Sequence, residues 1–175
     1  MTHLDEELKQ LKAEITIMWN LIILQLKKTQ EALVTFDKHL AREVIANEKR
    51  VNGMELKIDR DCENIFALFN PVAVDLRFVL SVLKTNNNLE RTGDIAEGIA
   101  KFIVNANHSF DEKLLTQTET LIMFEEATDI LQDVLTAFTN EDTKLARRIF
   151  QRDEMLDEIN IKANSVMADY IRKNP

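Results

Sequence analysis

Glycine and proline are scarce: the chain holds 3 of the one and 2 of the other in 175 residues, where an average protein carries roughly 12% of the two together. Sheets joined by tight turns need these residues at their corners, so the shortage argues against all-β and mixed folds and for long helices with few connections. Positive charge is not in excess either: 22 Lys plus Arg against 30 Asp plus Glu leaves a net charge of −8. A polyanionic duplex would repel such a surface, which excludes general nucleic-acid binding. The only cysteine, Cys62, cannot form an internal disulfide, which points to a reducing compartment. The most apolar stretch, residues 15–26, is interrupted by Thr16, Asn20 and Gln25 and is too short to span a bilayer. No basic region followed by an apolar one opens the chain, so no secretory signal is expected and the cytosol is the expected location. With 45% hydrophobic and 30% charged residues the composition is that of a globular chain with a real core.

What the chain does contain is helical periodicity. Leu4, Leu8, Leu11, Ile15, Met18, Ile22, Leu26, Thr29, Leu33 and Phe36 recur at steps of three and four, one face of a long amphipathic helix. Asp37 is placed to cap a second helix, whose apolar side carries Val44, Val51, Met54, Ile58, Cys62, Ile65 and Phe69. That helix should stop at Asn70-Pro71, because the residue before proline resists the α region, and Pro71 then suits the first turn of a third helix. Val82, Leu89, Ala96 and Ile103 mark the third at heptad spacing. Residues 105–111 read as a linker; a fourth helix carries Leu114, Leu121, Thr128, Leu135 and Phe138, and a fifth Ile149, Leu156, Ile159, Ala163, Val166 and Tyr170.

The two halves match at an offset of 105 residues. Asp37, Leu40, Ala41 and Arg42 correspond to Asp142, Leu145, Ala146 and Arg147, and Glu48, Val51 and Asn52 to Asp153, Leu156 and Asp157. Met54, Ile58, Cys62 and Ile65 map onto Ile159, Ala163, Met167 and Tyr170, and Asn70-Pro71 onto Asn174-Pro175 with a slip of one residue. The expected architecture is all-α: two tandem three-helix-bundle repeats of long antiparallel helices, residues 1–105 and 106–175, with the second truncated before its third helix, about five helices in all.

The acidic residues fall in stripes. Glu48, Asn52, Glu55 and Asp59 step by four, three and four on the second helix; Glu90, Asp94 and Glu97 do the same on the third; Asp153, Asp157, Asn160 and Asn164 form the counterpart on the fifth. Oxygen ligands so spaced point to one side of a bundle, where hard or borderline cations favour them. The same stripes also fit a solvated acidic face, since like charges at i, i+4 cost only about 0.2–0.5 kcal/mol per exposed pair, and Lys49, Arg50, Arg91 and Arg152 lie nearby to soften the repulsion. The repeat of charged positions in both halves weighs toward the metal reading; both stay open at this point.

Other chemistries lack their parts. His3, His39 and His108 form no Glu-x-x-His pair and lie outside the acidic stripes, which argues against a di-iron oxidase and a His-rich zinc site. No Gly-rich turn is followed by Lys-Ser or Lys-Thr, so no phosphate-cradling loop is expected. No Ser or Cys nucleophile has a base near it in sequence; Cys62 and Trp19 read as packing residues, and Asp75, Arg77 and Arg91 as an interhelical ion-pair set rather than as catalysts. Gly93 and Gly98 sit inside the third helix, where each costs about 1 kcal/mol relative to Ala; close helix packing or access to the carboxylates is the expected reason.

Three segments resemble the PhoU family of bacterial phosphate-signalling regulators: the run from Glu48 through Val51-Asn52, Met54-Glu55 and Ile58-Asp59 to Cys62; Pro71-x-Ala73-x-Asp75-Leu76-Arg77; and Leu89-Glu90-Arg91-Thr92-Gly93-Asp94. With Asp153 and Asp157 in the second half, the resemblance covers nearly the whole chain. It implies two similar three-helix bundles in a cytoplasmic, often homodimeric, non-enzymatic protein. The role it implies is negative regulation of the phosphate-starvation response, as an adaptor between the phosphate ABC transporter, through its ATPase subunit, and a sensor histidine kinase. It also implies metal binding, to iron, zinc or other divalent cations, through Glu/Asp-x-x-x-Asp motifs that fall on Glu90 and Asp94 and on Asp153 and Asp157. The Glu48, Asn52, Glu55 and Asp59 stripe would face Glu90 and Asp94, with Glu97 alongside. The alternative is a metal-binding bundle, structural or storage, with no signalling role. Departures from the family pattern are Glu48 where Asp is usual, Thr92 where a branched apolar residue is usual, and the missing final helix, which leaves Asp153 and Asp157 without half of their site.

Overall fold

The computed structural model describes residues 2–173, the side chain of Asp153 excepted, and every element in it is a helix. The order is α1 (His3–Thr35), α2 (Lys38–Phe69), α3 (Ala73–Asn105), α4 (Glu112–Gln117), α5 (Thr120–Asn140) and α6 (Thr143–Lys173). Thr2 and Asp5 cap α1 reciprocally: the Thr2 hydroxyl accepts from the Asp5 N–H and the Asp5 carboxylate from the Thr2 N–H.

The α1–α2 and α5–α6 corners are built alike. Phe36 and Glu141 both take left-handed backbone, with φ 55° in each. Asp37 then accepts from the N–H groups of His39 and Leu40, and Asp142 from those of Lys144 and Leu145, at 2.8–3.0 Å. A short acceptor directly after a left-handed residue turns the chain through a full reversal and satisfies the new helix's orphan donors.

Helices α1, α2 and α3 pack as an antiparallel bundle. Leu11, Ile15, Met18 and Ile22 of α1, Val51, Ile58, Cys62 and Ile65 of α2, and Val79, Val82 and Leu89 of α3 are each at most 2% exposed and form one cluster. A second cluster joins Leu26 and Leu33 to Val44, Ala96, Ala100 and Ile103 toward the other end. Trp19 is a packing residue, as its position on the stripe implies. Its indole N–H donates to the Leu131 carbonyl at 3.1 Å and its ring lies 5.8 Å from that of Phe138, which stacks in turn on Phe78. Lys12 donates to the Thr139 carbonyl at 3.1 Å. These contacts fix α5 antiparallel to α1 and leave an apolar groove of about 670 Å³ lined in part by Leu8, Trp19, Val74, Phe78 and Phe138.

Three expectations are corrected. The fourth helix is two: Glu119 takes φ 54° between α4 and α5. Thr116, Thr118 and Thr120 supply the reason. The Thr118 hydroxyl bonds the Leu114 carbonyl at 2.8 Å and lies 2.7 Å from that of Thr120, so side-chain oxygens compete with the backbone ladder. Pro71 lies outside α3, because Val72 is extended and serves as the N-cap, and Ala73 begins the helix with φ 47°. Asp75, Arg77 and Arg91 all lie on α3, and among the described residues none of them makes an ion pair, so they form no interhelical set. The Asn-Pro junction expected at Asn174-Pro175 lies outside the described residues.

Helix α6 packs only on α4 and α5 among the described elements. The consequence shows at repeat-equivalent positions. Cys62 is fully buried while Met167 is 40% exposed, and Ile45 and Phe66 are partly buried while their counterparts Phe150 and Ile171 are 77% and 60% exposed. Among the described residues no helix is long and apolar enough to cross a membrane.

Candidate functional site

The α2–α3 contact carries the acidic residues. Glu48 comes from α2 at a position where the heptad stripe continues from Val44 to Val51, and the side chain is therefore carried into the bundle: it is 5% exposed. Neither of its carboxylate oxygens has a hydrogen-bond partner among the described residues. Gly93 of α3 lies directly opposite. A Cβ there would sit 3.2 Å from Glu48 Oε2, 3.1 Å from Ile22 Cδ1 and 3.3 Å from Val51 Cγ1. Gly93 thus serves close packing and room for the carboxylate together. Gly98 does neither, since a Cβ at that position meets nothing within 4 Å.

Burial is the first cause that pushes the Glu48 carboxyl up, and the charges of Asp94, Glu97 and Glu90 add to it, against a smaller opposing effect of Lys101; the result is about 7. Glu90 is raised by its own burial, then by Asp94 and Glu55, and Glu55 by burial, then by Asp59. The two stripes therefore feel each other across the interface. Lys101, held by Glu97 at 2.6 Å, and Arg91, beside Glu90, offset the repulsion only in part.

Asn86 is part of this face and the sequence reading passed over it. It is fully buried between Val82 and Leu89, donating to the Glu55 carbonyl at 2.9 Å and to Asp59 Oδ1 at 2.8 Å, while its own side-chain oxygen has no partner among the described residues. Its signal was available: a lone amide on an otherwise apolar heptad stripe.

The structure brings Glu48, Glu55, Asp59, Glu90, Asp94 and Glu97 to one α2–α3 face, with Asn52 exposed at its edge. In this arrangement no three His, Cys, Asp or Glu side chains among the described residues converge closely enough to hold a metal ion. Cys62 is no ligand candidate, for burial first and then Asp59, Asp61 and Glu63 push its thiol up to about 12. In the second half the side chain of Asp153 lies outside the described residues, and Asp157, Asn160 and Asn164 lie exposed on α6 with no third long helix against them among the described elements. Arg152 is occupied by Glu126 and Asp133 of α5, each at 2.7 Å, and does not soften the α6 stripe.

The PhoU domain model matches residues 15–103 and 120–175. The phosphate-specific transport system accessory protein PhoU homolog 1 of Thermotoga maritima is 30% identical over 172 residues, 98% of this chain and 73% of its own length. The accessory protein PhoU of Escherichia coli is 34% identical over 152 residues, 87% of this chain and 62% of its own. Among solved structures, PhoU from Pseudomonas aeruginosa superposes with a TM-score of 0.90 at 28% identity, over 98% of this chain and 81% of that one. The phosphate transport system regulatory protein PhoU of Streptococcus pneumoniae gives 0.78 at 30% identity, over 90% and 73%.

Proposed function

The chain belongs to the PhoU domain family, and on that premise we propose that it is a cytoplasmic, non-enzymatic regulator of phosphate uptake. In this reading it docks on the ATPase subunit of a phosphate transporter and on a sensor histidine kinase, and holds phosphate-starvation genes off when phosphate is plentiful. The observation that carries the reading is likeness of fold and sequence together, across nearly the whole chain, to a solved PhoU structure. An all-helical surface with net charge −8 suits recognition by contact, and such charged interfaces weaken as salt rises. The test is a phosphate-starvation reporter in a bacterium lacking its own family member. Supplying this chain should return the reporter to its repressed level in high phosphate, and purified kinase and ATPase subunits should retain the chain in a salt-sensitive way. A reporter that stays on while the chain accumulates, with no retention by either subunit, refutes the proposal.

A second reading, compatible with the first, is favoured by the unpartnered carboxylate of Glu48. A buried anion without a donor, facing Glu90, Asp94 and Glu97, is a site a divalent cation would satisfy. The residues fit such a group by donor chemistry: all are carboxylates, with no His or Cys among them, which suits magnesium, manganese or ferrous iron better than zinc. Glu48, Glu90 and Asp94 would hold the ion only once their side chains turn together from the separated arrangement described above, and its positive charge would then offset their repulsion and tie α2 to α3. Elemental analysis of protein purified without chelators or a metal-affinity tag should find bound metal, lost in the double variant Glu90→Ala, Asp94→Ala. Finding no stoichiometric metal in the unaltered chain removes this reading and leaves the first intact.

A further inference from the structure

The apolar groove that ends on Trp19 has a basic edge. Helix α1 is its floor and α3 and α5 are its walls, and it continues past Trp19 and Thr85 into a second hollow of about 190 Å³ that reaches Asn88. On the α3 wall Val74, Ser81 and Asn88 line it, seven residues apart. Arg77, Lys84 and Arg91 stand three residues on from each of these, so a cation follows every lining position along the upper edge. All three are exposed, and none makes an ion pair or a side-chain hydrogen bond among the described residues; Arg91 lies beside Glu90 without pairing with it. Lys9 adds a fourth exposed cation, also without an ion pair among the described residues, at the open end. Of the acids along the lining, Glu141 faces Lys12 at 3.6 Å and Asp142 accepts from its own helix start, which leaves Asp75. In a chain of net charge −8, this is a line of uncompensated cations over an apolar floor.

We propose that the groove takes up an amphipathic helix of a partner protein, apolar on one face and acidic along one flank. Its shape selects a helix. From Val74 to Arg91 the α3 wall runs about 25 Å, or about five helical turns, at 1.5 Å per residue. Trp19, Phe78 and Phe138 lie below as a floor for apolar side chains three, four and seven residues apart. Charge selects the flank. Arg77, Lys84 and Arg91 repeat every seven residues, so a helix lying along α3 meets them with Glu or Asp at that same spacing. A flat anionic lipid surface would touch the line of cations and leave the aromatic floor empty. The contact is one helix in one groove, smaller than a standard interface, so it should be micromolar and reversible. The inference goes beyond the signalling reading: it names the chemistry of a docking segment, and holds whether or not a kinase or transporter supplies it.

The probe is a labelled, tryptophan-free helical peptide of about 18 residues, enough for five turns, with a leucine face and a glutamate flank. Fluorescence anisotropy with the 175-residue chain should show micromolar binding that weakens as salt rises. Trp19 is the only tryptophan and forms the groove floor, so its emission should change on the same titration. The double variant Arg77→Glu, Lys84→Glu should bind at least tenfold more weakly with no loss of helical signal, because both side chains face solvent. That variant should in turn prefer the same peptide with lysine in place of glutamate. Arg60→Glu, at an exposed cation of α2 outside the groove, should leave binding unchanged. No binding by the unaltered chain, or equal binding of both peptides, overturns the proposal. So does either of two results obtained without peptide binding: retention on phosphatidylglycerol vesicles that the double variant loses, which assigns the edge to lipid, or self-association that it loses, which assigns the groove to a second copy.

Discussion

Replacing Glu48 by glutamine should stabilise the protein above neutral pH and leave it nearly unchanged in mild acid. The folded chain holds the Glu48 proton up to about pH 7, whereas the unfolded chain releases it near the ordinary glutamate value of 4.5. A carboxyl raised on folding costs nothing below about pH 4.5, where both states are protonated. Stability then falls as pH climbs from about 4.5 to about 7, because the unfolded state gains from ionising and the folded state does not. At about 1.4 kcal/mol per pH unit the full cost is about 3 kcal/mol, a large part of the 5–15 kcal/mol that a domain has to spend. The amide of Glu48→Gln keeps the shape and lacks partners much as the neutral acid does, so the two proteins should agree near pH 4.5 and diverge by about 2–3 kcal/mol at pH 8. Glu55 and Glu90 titrate in both proteins, and their share largely cancels in the difference. Urea denaturation followed by circular dichroism, at both pH values and with a chelator present, reads the gap directly. Equal stability at pH 8, or a gap of the same size at both pH values, refutes the reasoning.

The two helical glycines should respond with opposite sign. Gly93→Ala forces a Cβ against Ile22 and Glu48 and should cost about 1–3 kcal/mol, whereas Gly98→Ala enters open space and should raise the melting temperature by the equivalent of up to about 1 kcal/mol. Asp37→Ala and Asp142→Ala should each lose about 1 kcal/mol in chemical denaturation, because each removes two hydrogen bonds from a helix start of the same design. Trp19→Phe should cost about 1–2 kcal/mol and, in hydrogen exchange, loosen α5 more than α2 or α3, because the indole N–H is a direct tie between α1 and α5.

Much of the fold was legible because helical burial repeats every three or four residues. The α1 stripe from Leu11 to Leu33 is the core, and the shared Asp-x-x-Leu-Ala-Arg text marks two corners with the same capping geometry. What escaped was whatever does not change that period. The heptad run through Leu114, Leu121 and Thr128 continues across a break made by threonine hydroxyls, and periodicity carries no sign of it. Pro71 suits a helix's first turn because its missing N–H costs nothing there, yet the extended Val72 after it decides where α3 begins.

For the site the division is similar. Residue type and spacing alone marked Glu48, Glu55, Asp59, Glu90, Asp94 and Glu97 as acidic stripes, since i, i+4 and i+7 share a face on any α-helix. The sequence also determined by itself that the chain is helical, acidic and internally repeated. Only the packing of α2 on α3 decided which carboxylate loses its water. Glu48 lies beneath Gly93 and the others at the rim, and desolvation depends on the neighbouring helix rather than on the residue's own. The two glycines make the same point: both stand inside α3, yet one is hemmed in by α1 and α2 and the other opens to solvent, because a missing Cβ has meaning only through what stands opposite it.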